Sequence, residues 1–225
     1  MTTMMTTMAD AAAARSQGYR QRGDRPSQRR APGAEFSGLA HVAARAQVQL
    51  REAGESGLLT FEGYASVYEA PYEMWDMWGP YTEVVSTGAA GDLTRADLDV
   101  PLVLAHDQLR RIARTTNGTL ELSQDERGLR VLAPSLDPAD VDVAYIAPKL
   151  RAGLIDEMSF AFRIELGMWS PDYTEYRIER FTIHRGDVAI VGFGANPSTA
   201  GSGLRESPAV EPERRRRALD EFMRL

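Results

Sequence analysis

The chain contains no cysteine, one lysine and three histidines among its 225 residues. The absence of cysteine excludes disulfides, thiolate metal ligands and a cysteine nucleophile, and it is typical of a reducing compartment. The histidines, at positions 41, 106 and 184, are too scattered to predict a zinc site. No run of about 20 apolar residues predicts a membrane-spanning helix, and the Met- and Thr-rich start lacks the apolar segment of a secretory signal. We therefore expect no metal or other cofactor, no membrane partner and no export.

Charge is distributed unevenly along the chain. Residues 1–33 carry a net charge of +4 and residues 205–225 carry +1, whereas the total is −6, so the segment between them is strongly acidic. A dedicated nucleic-acid-binding domain would present a basic face on its folded part. The charge pattern therefore argues against a specific nucleic-acid partner.

Composition divides the chain into three parts. Residues 1–35 are rich in Ala, Gln, Arg and Gly, which predicts a basic segment that is disordered or weakly helical. Residues 36–200 carry the regular apolar periodicity of a folded domain. Residues 201–225 predict a flexible linker followed by a short basic amphipathic helix over 213–225.

Apolar residues alternate with period two through most of the domain. This pattern predicts half-buried strands over residues 59–67, 81–86, 128–134, 158–164, 173–181 and 182–191. The apolar run over 101–105 predicts a central strand, and Asn117-Gly118 predicts a type I′ hairpin between strands 112–116 and 119–122. Helices are predicted over 93–99 and from an N-cap at Asp137 to Leu150. The fold class expected is β-rich α+β: a mostly antiparallel, closed or near-closed barrel with a few flanking helices.

Two residue types in this pattern suggest hydrolytic chemistry. His106 follows the apolar run, and Ser159 lies on a later strand, on the face opposite Met158 and Phe160. Serine is a weak nucleophile until a positioned base takes its proton. With three histidines and one lysine, the chain has few candidates for that base. His106 is one candidate base, and a desolvated Lys149 in a Ser/Lys hydrolase is the alternative.

The order of short motifs resembles a known family. The motifs are FEGYASV at 61–67, EVVSTG at 83–88, LAHD at 104–107, GL at 128–129, GLIDEMSF at 153–160, GDVAIV at 186–191 and ANP at 195–197. Together they resemble the prohead maturation proteases of tailed phages, which are similar in fold to the herpesvirus assembly proteases. The resemblance covers about residues 58 to 200 and depends on the order and spacing of all the motifs.

The resemblance implies a serine endopeptidase without a cofactor. It implies Ser159 as the nucleophile, His106 as the base and Asp187 as the third member of the triad, with His184 as the competitor for that place. The implied protein substrates are the major capsid protein, scaffold segments and the enzyme itself. The implied location is the procapsid in the host cytoplasm, with self-association left open.

The sequence leaves two questions open. A catalytically weak or inactive capsid-assembly scaffold module could have the same motifs, because Glu157, Ala161 and Ala113 stand where the family tends to have glycine. The aromatic residues Tyr72, Trp75 and Trp78 are consistent with a plug over the core, a substrate lid or an oligomer contact.

Overall fold

The computed structural model describes residues 6–29, 42–44, 49–53 and 57–192. Their helices and strands, in chain order, are α1 (Met8–Gly18), β1 (Val42–Ala44), β2 (Gln49–Ala53), β3 (Leu58–Val67), β4 (Tyr72–Trp75), β5 (Pro80–Val85), β6 (Pro101–Leu104), β7 (Asp107–Arg114), β8 (Glu121–Gln124), β9 (Gly128–Leu136), α2 (Val141–Arg151), β10 (Glu157–Trp169) and β11 (Glu175–Val191). No helix in this part of the chain is long and apolar enough to cross a membrane.

The strands form two sheets. One has seven strands, in the order β1-β10-β11-β5-β4, with β6 pairing to β11 and β7 pairing to β6. It is a mixed sheet, because β11 is antiparallel to β10 but parallel to β5 and β6. The other sheet is antiparallel, with the order β2-β3-β9-β8.

One hydrophobic cluster joins the two sheets. The alternation along β3 places Phe61 in this cluster, where it meets residues of the larger sheet such as Phe160 and Val188. All four residues of β6 are buried, as the sequence predicts for a central strand. The β-rich α+β class is therefore confirmed. The predicted closed barrel is wrong, because the strands of the described residues pair into two separate sheets.

Three local predictions differ from the structure. Residues 93–99 form no helix, because the Asp92 carboxylate accepts hydrogen bonds from the Thr94 N–H and hydroxyl and so favours a turn. The second helix begins after Asp140 and not after Asp137, since the Asp140 carboxylate caps two backbone N–H groups of α2. The two strands predicted over 173–191 are one strand, β11, which is bent by irregularities in its pairing with β10.

The predicted hairpin at Asn117-Gly118 is also wrong. Residues Thr115–Asn117 form a 3-10 turn, and the strands on either side pair elsewhere: β7 with β6, and β8 with β9. A two-residue hairpin turn does occur, between β6 and β7. There Leu104 pairs with Asp107.

The N-terminal segment is integrated into the fold. The sequence predicts disorder or weak helicity over residues 1–35, but residues 8–18 form α1, which begins with a capping box at Thr7. Arg15 of this helix is fully buried and binds the buried Asp76 through a 2.8 Å ion pair. Its guanidinium also donates to the Gly79 and Pro80 carbonyls. Unless paired, a buried arginine would be costly, so this ion pair ties α1 to the core.

A second buried ion pair lies further along the same segment. Arg29 binds Glu83, which is fully buried and also accepts hydrogen bonds from Tyr72 and Tyr81. Trp78 packs edge-on against Tyr19, with ring centroids 4.6 Å apart. Within the described residues, Tyr72 and Trp78 are thus packing residues of the core and of the N-terminal segment. The plug interpretation of the aromatic cluster accounts for both.

Several predictions fall on residues outside this part of the chain. The domain boundaries near residues 35 and 200, the ANP motif at 195–197, His41 and the C-terminal helix over 213–225 all lie outside the described residues. They stay predictions.

Candidate active site

The pairing of β10 with β11 places Ser159 and Asp187 on one face of the larger sheet. Ser159 pairs with Ala189, and Ala161 pairs with Asp187, so all four side chains lie on the same side. Ser159 and Asp187 are diagonal neighbours, a relationship that separates residues by about 7 to 8 Å. An imidazole is long enough to span such a gap, but the Ser159 Oγ forms no hydrogen bond with the His106 ring among the described residues.

His106 lies on the tight turn between β6 and β7. Ala105 and His106 both have positive φ angles, 52° and 59°. A type I′ turn requires positive φ at both central residues, and glycine or asparagine is the usual choice there. Residues without that preference are held in such a conformation at a cost of about 1 to 3 kcal/mol each, and such strain is common at functional sites. The turn thus holds Ala105 in an unfavourable backbone conformation directly before His106.

A chain of hydrogen bonds orients the His106 ring. Its Nδ1 lies 2.7 Å from Asp187 Oδ1, and the other carboxylate oxygen accepts a 2.6 Å hydrogen bond from Gln108 Nε2. The Gln108 Oε1 in turn accepts from Arg111, at 3.1 Å. Because Asp187 accepts at Nδ1, the Nδ1 carries the proton, and Nε2, which is buried, is the nitrogen that can act as a base.

An irregularity in β11 positions Asp187. Between the pairs Ala161–Asp187 and Arg163–Thr182, four residues of β11 oppose one residue of β10. Within this bulge Arg185 has a φ of 59°. A Cβ on Gly186 would lie 1.8 Å from the Ala161 carbonyl oxygen, so only glycine fits there.

The same bulge decides the place of His184. Three residues apart, His184 and Asp187 would lie on opposite faces of a regular strand. The strand is irregular here, and both residues line one cleft. His184 Nδ1 accepts a 3.3 Å hydrogen bond from the backbone N–H of Asp99. Asp187, and not His184, makes the 2.7 Å contact with His106 Nδ1.

Ser159 is the least accessible member of the candidate site. It is 1% exposed, and its Oγ has no hydrogen-bond partner among the described residues. A buried hydroxyl without a partner is costly, by about 1 to 3 kcal/mol, and in natural proteins such groups need an explanation. One explanation is that the Ser159 hydroxyl is kept available for chemistry.

The other candidate base lies on α2. Lys149 Nζ donates to the Tyr145 carbonyl at 3.3 Å and lies 3.9 Å from the centre of the Tyr145 ring. These contacts engage the ammonium group within its own helix. Nothing in the described contacts connects Lys149 with Ser159.

Gln108 and Gly186 are the members of the site that sequence reasoning missed. Gln108 lies two residues after His106 in the hairpin, and its contact with Asp187 spans 79 positions of sequence. Gly186 precedes Asp187 directly, which is a usable signal because a glycine inside a strand often marks a bulge or a close backbone approach.

Fold and site together define a β-rich α+β protein with a serine and a histidine–aspartate pair on one sheet. Comparison with known families then identifies the group. The chain belongs to the caudovirus prohead serine protease family, whose model matches residues 45–210. No curated protein and no solved structure matches the chain, so the expected likeness to herpesvirus assembly proteases stays a prediction.

Proposed function

We propose that this protein is a serine endopeptidase in which Ser159 is the nucleophile, His106 the general base and Asp187 the residue that orients His106. The observation that carries the proposal is the 2.7 Å contact between His106 Nδ1 and Asp187 Oδ1, on the face of the sheet that also holds Ser159. These three residue types in these roles are those of the serine protease triad. All three positions lie within the range matched by the family.

The mechanism follows from the tautomer of His106. The His106 Nε2 removes the proton of the Ser159 hydroxyl as Oγ attacks the scissile carbonyl carbon. Asp187 stabilises the resulting imidazolium and does not take its proton. The imidazolium then protonates the leaving amine, the C–N bond breaks, and an acyl-enzyme is left. Water, deprotonated by the same nitrogen, releases the acid and restores Ser159.

The family supports capsid proteins as the substrate class. The finer proposal is that the enzyme cleaves the major capsid protein, scaffold segments and its own chain within the procapsid in the host cytoplasm. When the enzyme cleaves its own chain, we expect it to keep residues 8–29. Arg15 and Arg29, which lie in this range, form ion pairs with the buried Asp76 and Glu83.

One observation favours a second candidate, a capsid-assembly module without efficient chemistry. Ser159 is 1% exposed, and a nucleophile must reach a carbonyl carbon. In that case the buried hydroxyl would be a remnant of the family's site. Substitution of Ser159 separates the two candidates, since only an enzyme loses processing.

The test is intact-mass spectrometry over time on the purified chain, alone and co-expressed with the major capsid protein of the same virus. We expect discrete truncations with the wild type and none with Ser159→Ala or His106→Ala. The matched control is Ser66→Ala, which removes another buried hydroxyl that has no partner in the described part of the chain. Processing that survives in Ser159→Ala overturns the proposed nucleophile. Assembly without any processing, in wild type and variant alike, favours the module.

A further inference from the structure

A cleft of about 270 Å³ adjoins the candidate triad. Its lining includes Asp187 and Gln108, together with Ala161, Phe162 and the bulge of β11. Ala161 lies two residues beyond Ser159 on the same face of β10, a distance of about 7 Å along a strand. The cleft therefore begins one or two residues of extended peptide away from the proposed nucleophile.

The polar lining of the cleft is positively charged. Arg163 and Arg185, both exposed, line it together with the half-buried His184. Neither arginine forms an ion pair within the described ranges of the chain. Arginine presents a planar set of donors that matches a carboxylate, so two of them at one cleft favour an anionic ligand.

The acidic residues near these arginines are already bound elsewhere. Asp99 accepts two 2.7 Å hydrogen bonds from Arg114, which lower the pKa of its carboxyl. Asp97 is bound in the same two-pronged manner by Arg95. The carboxylate of Asp187 is 3% exposed and is held by His106 and Gln108. The cleft thus keeps a net positive charge on a chain whose total is −6.

Phe162 belongs to the lining of the cleft, but its ring packs among other side chains. The ring stacks on the core residue Phe160, with centroids 4.2 Å apart, and contacts Phe181 at 5.0 Å. The Arg29 guanidinium lies 5.0 Å from the centre of the same ring. Neighbouring side chains thus already occupy the Phe162 ring, and the two arginines decide which class of ligand the cleft can bind.

We infer that this cleft is a specificity subsite for an acidic side chain within one or two residues of the scissile bond of a substrate peptide. The inference rests on the proposed endopeptidase function. Arg163 and Arg185 bind the carboxylate of that side chain. Because the two arginines are exposed, the preference weakens as salt concentration rises.

The test begins with a proteome-derived peptide library cleaved by the wild-type protein and sequenced by mass spectrometry. We expect cleavage sites with acidic residues enriched at one constant position. Two fluorogenic peptides that differ only by Glu or Gln at that position then give the ratio of their kcat/KM values. We expect a ratio of at least about 10 in the wild type and a ratio near one in the Arg163→Gln/Arg185→Gln double variant.

Arg180→Gln is the matched control, because Arg180 is an exposed arginine on β11 that does not line the cleft and pairs with Glu165 at 3.1 Å. It is expected to keep the wild-type ratio. Cleavage without enrichment of acidic residues, or a double variant that keeps the ratio, overturns the subsite and leaves the endopeptidase proposal intact. A chain that cleaves nothing and whose Ser159 does not react with a fluorophosphonate probe overturns both.

Discussion

Gln108 donates its side-chain amide to Asp187 Oδ2 at 2.6 Å, on the carboxylate oxygen that His106 does not use. Arg111 holds the other end of the same amide through its oxygen. The orientation of the amide is therefore determined on both sides. Gln108 is a positioning residue, because it orients the Asp187 carboxylate, which in turn orients the His106 imidazole. It lies on β7, the strand that follows the His106 turn.

Gln108→Leu removes this donor and keeps a side chain of similar size. We expect kcat to fall about tenfold, because a hydrogen bond to a charged group contributes about 1.5 to 3 kcal/mol and Gln108 acts on catalysis through Asp187. The effect on KM should be smaller than the effect on kcat. The isosteric Gln108→Glu replaces the donor by a second carboxylate and should lower kcat further. Steady-state kinetics on a fluorogenic peptide provide the measurement. Wild-type kcat in both variants would contradict the positioning role.

Gly186→Ala tests the close approach of β10 and β11 at the bulge. The new Cβ would lie 1.8 Å from the Ala161 carbonyl oxygen, and neither backbone can move without breaking the pairing that places Asp187. We expect a loss of about 3 kcal/mol in the free energy of unfolding, together with loss of activity. Urea denaturation measures the first quantity.

Gly23→Ala is the control for that substitution. Nothing lies within 4 Å of a Cβ built at Gly23, so its effect should stay within about 0.5 kcal/mol. Equal stability of the Gly186→Ala and Gly23→Ala variants would show that the bulge can relax around an added methyl group.

Arg15→Met tests whether α1 is part of the folded unit. The substitution leaves the fully buried Asp76 without its main partner, so we expect a loss of about 3 to 5 kcal/mol in stability. Arg20→Met, at an exposed position in the same segment, should have almost no effect. Thermal and urea unfolding of both variants give the comparison. Similar stability of the two would mean that residues 8–18 are dispensable.

Two buried tyrosines predict a loss of stability at high pH. Burial raises the pKa of Tyr68 and of Tyr176 to about 12, from an ordinary value of about 10. Below pH 10 both rings stay protonated in both states, and stability is unaffected. Between pH 10 and 12 the unfolded chain loses protons that the folded chain keeps, so each tyrosine lowers stability by about 1.4 kcal/mol per pH unit.

Tyr176→Phe should reduce the dependence of the free energy of unfolding on pH by the contribution of one tyrosine. It should change stability little at pH 7, because the Tyr176 hydroxyl has no partner in the described part of the chain. Tyr145→Phe is the control, since Tyr145 is 48% exposed. Urea unfolding from pH 8 to 11.5, with tyrosinate absorbance followed in parallel, tests the prediction. An unchanged slope in Tyr176→Phe would contradict it.

Local sequence signals predicted the strands best where one residue in two is buried. The period of two in β3 and the apolar run of β6 both correspond to strands of the structure. Signals that depend on a few polar residues were less reliable. Asn117-Gly118 favours a hairpin locally, yet the adjacent strands pair with β6 and β9, because strand pairing is decided by burial over the whole sheet.

The two-residue turn at Ala105 and His106 could not have been predicted from turn propensities. Ala105 has no preference for positive φ, so we infer that the conformation is imposed by the pairing of β6 with β7 and with β11. The burial of Arg15 was equally inaccessible to sequence reasoning. Its partner Asp76 is 61 positions away, and an arginine in an Ala-rich segment is usually exposed.

By itself the sequence determined the strand-rich class, the absence of cysteine chemistry and the order of motifs that leads to the prohead protease family. These properties are local or depend on linear order, so they can be read without coordinates. Only the tertiary structure decided which residue meets His106, because Asp187 lies 81 positions away and is aimed by a bulge that no periodicity encodes. It also decided that the described strands pair into two sheets and that Arg15 and Arg29 of the N-terminal segment bind buried acidic residues. Both depend on contacts between residues far apart in the chain.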